Sequence, residues 1–166
     1  MQNLTESRGP DPQRELVRHV LATLAYRGGK VLQNVPSGFA DFRGGEGLRT
    51  PGEVVAHLAD LLDWCYSIAV GQQKYQVSKT LSWEEGAQRF FEALKKFDDL
   101  LASGEPLQAP IEKLFQGPLA DSFTHVGQIA ILRRLAGAPV KGESYYVADI
   151  EVGRVGAEQA APKREF

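Results

Sequence analysis

Asp121, His125 and Gln128 stand at i, i+4 and i+7 in the stretch DSFTHVGQIAILRRLAG. On a helix that spacing stacks an acid, an imidazole and an amide on one face. Ile129 and Leu135 flank the stripe and Leu132 continues it, so it does not read as a plain solvent face. A carboxylate or imidazole drawn into apolar surroundings needs a partner or costs several kcal/mol. A divalent metal satisfies both, because ligands at i and i+4 reach one ion from one side. The third ligand must come from another element. His57 is the best supplier, sitting among Val54, Leu58 and Leu61 in EVVAHLADLLDWCYSIAVG. Two imidazoles and one carboxylate leave positions open for water or substrate, which is the layout of a reactive centre; closed structural zinc sites use four protein ligands.

The same residues also suit plain structural roles. A histidine beside an apolar face is commonly a hydrogen-bonded boundary residue. Asp121 and His125 suit a surface pair, and an acid in the first turn of a helix suits the helix dipole with no ligand role. Gln128 suits a hydrogen bond to a neighbouring helix. His19 reads as a boundary residue near Leu16, Thr23 and Tyr26, with a reserve role as ligand if Asp121 points away. Glu53, four residues before His57, is better matched to a capping box than to a catalytic base. Asp60 and Asp63 are placed to face solvent or an adjacent helix. Cys65 lies on an apolar stripe, where cysteine acts as a small hydrophobe.

Four helices must position these groups. The first starts at Asp11-Pro12, a capping acid followed by the residue suited to the first helical position, and carries Leu16, Val17, Val20, Leu21, Leu24 and Val31. Gly28-Gly29 either kinks it or admits a close neighbour. A long Gly-rich loop, VPSGFADFRGGEGLRT over 35–50, follows. Thr50-Pro51-Gly52-Glu53 then opens the second helix as a capping box, running to Gly71. Ser82-Trp83-Glu84-Glu85 opens the third, whose heavy aromatic face (Trp83, Phe90, Phe91, Phe97) requires a core, and Ser103-Gly104 ends it. The Pro-rich stretch 105–118 reads as a wandering connection with a short helical turn. The fourth helix covers 119–136, with Arg133 and Arg134 suiting its own negative end. The apolar residues of 140–156 imply that this segment packs back or onto a second chain. Residues 1–10 and 156–166 read as loose termini around one domain, 11–155. The class is all-α, a four-helix bundle with a C-terminal extension.

The chain has 166 residues, 43% of them apolar and 24% charged, which suits one ordinary domain with its own core. A net charge of −2 lacks the basic excess of a nucleic-acid binder. No run reaches the length of a membrane span, and the polar N-terminus MQNLTESRGPDP lacks the order of a secretory signal. One cysteine excludes an internal disulfide. Together these point to the cytoplasm of a prokaryote-like cell.

Two motifs carry a family likeness over about residues 11–139. THVGQIAILRRLAG resembles the last-helix signature of the DinB/YfiT-like superfamily, and TPGEVVAHLADLLDW is similar to its second helix, with an isolated histidine after a capped start. The resemblance implies an up-down-down-up bundle holding a divalent metal. The family's usual ligands are one histidine on the second helix and two, four residues apart, on the fourth. His57 and His125 match two of these, and Asp121 stands where the third histidine is usual. Two histidines and a carboxylate suit Zn, Ni, Mn or Fe(II). Gln128 is then a supporting residue that fixes His125 or a bound water. By resemblance the activity is that of a metal-dependent thiol transferase or hydrolase. A low-molecular-weight thiol or water, made nucleophilic near neutral pH by coordination, attacks a small molecule. The expected partners are that small-molecule substrate and a second copy of the chain, a homodimer, with neither nucleic acid nor membrane. The expectation from the other class is a non-catalytic metal-binding or dimerising stress-related bundle.

Overall fold

The computed structural model describes residues 11–166; the loose arm expected over 1–10 lies outside the described residues. Among the described residues the chain is all-helical, with four long helices. α1 spans Pro12–Leu32, α2 Pro51–Ala69 and α3 Trp83–Ser103. A one-turn α4, Ile111–Leu114, precedes α5 at Ala120–Leu135. Short 3-10 turns occur at Phe39–Asp41 and Tyr145–Val147. Among the described residues no helix is long and apolar enough to cross a membrane.

The helix starts follow the local chemistry. The Asp11 side chain accepts from the Gln13 N–H, with Pro12 at the first position. Thr50 with Glu53, and Ser82 with Glu85, form reciprocal capping boxes. Glu53 is thereby spent on the Thr50 N–H at 2.7 Å, which holds its carboxyl below the ordinary range. α3 stops at Gly104, whose φ of 74° favours glycine. The connection before α5 winds instead of wandering. Phe115–Leu119 forms a wide π-type turn, opened where Gly117 leaves helical dihedrals and Pro118 offers no N–H. α5 therefore starts without a side-chain cap, and Asp121 falls in its first turn.

The aromatic face of α3 does find its core: Phe90, Leu94 and Phe97 are fully buried with Leu21 and Leu24 of α1 and Leu58 and Leu62 of α2. Each such side chain contributes about 1.5–3 kcal/mol relative to exposure. Gly28 is a point of close approach, not a kink. α1 runs unbroken past it, and a Cβ there would lie 2.6 Å from Phe90 Cζ. α1 and α3 run antiparallel, since Gly28 meets Phe90 while Arg18 pairs with Asp98 at 2.9 Å. α2 and α3 run parallel, since Gly86 meets Val55 and Arg89 pairs with Asp60 at 2.8 Å. Parallel neighbours need a crossover, supplied by residues 70–82. Ser78 ties that segment down, its N–H donating to Asp60 and its hydroxyl accepting from Arg89. Asp60 is thus buried, and it and Asp63 both hold Arg89.

The C-terminal end departs from the expected loose tail. Phe166 N–H donates to Gly142 O and Ser144 N–H to Arg164 O, and an isolated bridge joins Glu143 to Glu165. The buried Glu143 carboxylate accepts from Tyr26 Oη and from Lys30 Nζ, both at 2.6 Å, and Val155 enters the core.

Candidate metal centre

His57 lies midway along α2, with Val54 and Leu58 beside it packed into the core. His125 is buried on α5, one turn beyond Asp121, whose side chain remains 49% exposed. The two imidazole rings meet edge to face with centroids 4.6 Å apart. One ligand atom from each of His57, Asp121 and His125 lies within 4.8 Å of the other two. Among the described residues no other group of three histidine, cysteine or acidic side chains converges in this way. His19 is exposed on α1 and takes no part in the cluster.

The hydrogen bonds around the rings decide which nitrogens are free. His125 Nδ1 lies 2.8 Å from Gln128 Oε1. An amide oxygen accepts, so Nδ1 carries the proton and Nε2 is left with its lone pair. That Nε2 faces Asp121 Oδ2 at 3.5 Å. A lone pair and a carboxylate so close need a proton or a cation between them. His57 Nδ1 lies 3.1 Å from the Tyr75 hydroxyl, which the 70–82 crossover brings over α2 and which packs against Trp64. Burial first, then the neighbouring His125 and Arg49, push the His57 imidazole below its ordinary pKa; Asp121 and Asp60 oppose this. The neutral, metal-competent form of His57 is therefore favoured.

The donor set suits a divalent ion. Ligand atoms 2.0–2.1 Å from a tetrahedral ion lie about 3.3 Å apart, close to the His125–Asp121 separation. The half-exposed Asp121 carboxylate has open space in which to turn. Three ligands leave a position open.

Tyr75 was not legible as a site residue, because no spacing rule links a crossover loop to a helix face. Arg49 and Leu48 belong to the Gly-rich 35–50 loop. They line a cleft of about 410 Å³ with Val54, Ile131, Leu132 and Leu135, and Gln128, bonded to His125, borders both that cleft and the His57–Asp121–His125 cluster. Tyr145, in the apolar 140–156 segment, packs against Tyr26 on α1. Cys65 is fully buried and its thiol is pushed up by that burial, so it is no nucleophile. Comparison with family models, with curated proteins and with solved structures finds no match to this chain.

Proposed function

We propose that the chain is a DinB/YfiT-like metalloenzyme, an up-down-down-up four-helix bundle that binds one divalent ion, Zn, Ni, Mn or Fe(II), at His57, Asp121 and His125. The carrying observation is the convergence of His57 from α2 with Asp121 and His125 from α5. The antiparallel α1–α3 and parallel α2–α3 contacts support the bundle order. When bound, the ion supplies Lewis acidity that lowers the pKa of a coordinated thiol or water.

The chain's own residues then have distinct tasks. Gln128 holds the His125 proton on Nδ1 and aims Nε2 inward. Tyr75 orients His57 through Nδ1. The apolar wall of Leu132 and Val54 keeps bulk water from one side of the centre. The reaction is transfer of a low-molecular-weight thiol to an electrophilic small molecule, or hydrolysis of one.

The test is a paired assay of metal-loaded and chelated protein, with glutathione and 1-chloro-2,4-dinitrobenzene for transfer and a p-nitrophenyl ester for hydrolysis. Metal-dependent turnover of either, lost in His125→Ala, supports the enzyme. A metal-loaded protein inert to both and to a wider panel of thiols and esters favours the second reading, a non-catalytic metal-binding or dimerising bundle. The exposed rings of Tyr146 and Phe166 favour that reading.

A further inference from the structure

The cleft beside the metal centre has a composition that defines what it takes. Its walls are Gly47, Leu48 and Arg49 of the loop with Val54 of α2 on one side and α5 on the other. The loop is laid directly on the helix: a Cβ at Gly44 would lie 2.8 Å from the end of the Leu132 side chain and 3.4 Å from that of Leu135. The wall is therefore a built surface. Leu48, Ile131 and Leu135 are 52%, 62% and 56% exposed, with their apolar faces turned to open space. At about 410 Å³ the cleft is within the size range of small-molecule sites.

One charge breaks the apolar lining. Arg49 lines the cleft, and among the described residues its guanidinium makes no hydrogen bond or ion pair. The nearby Glu53 does not neutralise it by contact, since that carboxylate is bonded to the Thr50 N–H. Arg133 is held by four backbone carbonyls, Arg89 by Asp60 and Asp63, and Arg18 by Asp98; among the described residues, Arg49 is the one charged residue that lines the cleft. A free guanidinium beside exposed leucine and isoleucine side chains complements a molecule with an apolar body and a terminal anion.

The geometry points to an amphipathic anion, a carboxylate carrying an apolar body, as the substrate class. Arg49 holds the carboxylate and the Leu48–Ile131–Leu135 surface holds the body. The inference rests on the metal-site reading above for the word substrate, because Gln128 is shared between the cleft and His125. Arg49 is a specificity residue and touches no metal ligand.

Calorimetric titration with octanoate, octan-1-ol and octylammonium tests it, in metal-loaded and in chelated protein. Octanoate is expected to bind both forms, about tenfold or more tighter than either octan-1-ol or octylammonium. Arg49→Gln is expected to bring octanoate down to the octanol level. Ile131→Glu, at an exposed position that leaves folding intact, is expected to abolish octanoate binding. Equal affinity for the acid and the alcohol, an unchanged octanoate affinity in Arg49→Gln, or no octanoate binding at all overturns the proposal. Octanoate binding that needs the metal also overturns it, since the carboxylate is then a metal ligand. Because the cleft is read in chelated protein, its failure is separate from failure of the metal site, which metal content reports.

Discussion

The Gln128 side-chain oxygen sits 2.8 Å from Nδ1 of His125, one turn earlier on the same helix. This local bond fixes the ring's tautomer and leaves the Nε2 lone pair facing Asp121. Partners of this kind typically change metal affinity ten- to a hundred-fold. Gln128→Ala is expected to weaken zinc binding by about that factor while leaving the far-ultraviolet circular dichroism unchanged. A competition titration against a chromophoric chelator reads it; unchanged affinity means that Gln128 plays no part in ligation.

His57 predicts a pH dependence of stability in the chelated protein. Its pKa in the fold is lowered, by burial first, while the unfolded side chain titrates near about 6.5. As pH falls below that value the unfolded chain takes up the proton first. The contribution is therefore full above the unfolded pKa and is lost as pH falls through the folded one. Thermal unfolding between pH 8 and pH 5 should show a Tm that falls with acid, and His57→Gln should flatten that fall. A variant as acid-sensitive as the wild type removes His57 from the account.

Two glycines should respond to alanine with opposite signs. At Gly28 the added Cβ meets the ring of fully buried Phe90 at 2.6 Å. Overpacking of about 1–3 kcal/mol then outweighs the helix-propensity gain of about 1 kcal/mol. At Gly127, inside α5, a Cβ meets nothing within 4 Å. Gly127→Ala should stabilise by about 1 kcal/mol, and Gly28→Ala should destabilise with partial rescue by Phe90→Leu. Urea midpoints decide; a stabilised Gly28→Ala contradicts the close α1–α3 contact.

Arg133 is buried with no carboxylate beside it. Its guanidinium donates to the carbonyls of Val31, Gln33, Asn34 and Ala138. Trp83 Nε1 takes the Leu32 carbonyl, so the open end of α1 is closed by side chains from two other helices. Arg133→Met keeps the stem but strands these carbonyls, and should cost about 3 kcal/mol. Arg133→Lys should recover little, since an ammonium lacks the planar fork. A denaturant midpoint unmoved in Arg133→Met contradicts this role.

What could be read from the sequence was what local chemistry determines. The caps at Asp11, Thr50 and Ser82 act within three residues, so their elements start where expected. The i, i+4 and i+7 stripe and the interior side of α2 named the three side chains that converge. Non-local roles were hidden. Arg133 was assigned to the dipole of its own helix but serves the end of α1. The docking of 156–166 depends on Lys30, Glu143 and Glu165, which sequence alone presents as solvated charges. The π-type turn at Gly117-Pro118 and the placing of Tyr75 arise from packing between elements, which no periodicity records.

The central claim is that His57, Asp121 and His125 hold one ion. Protein purified and supplemented separately with Zn, Ni, Mn or Fe(II), then freed of excess metal, should carry about one equivalent of one of them by elemental mass spectrometry. His57→Ala and Asp121→Ala should each lose it while keeping the wild-type helical content. Wild-type protein that retains none of the four, or alanine variants that retain the full equivalent, would contradict the site.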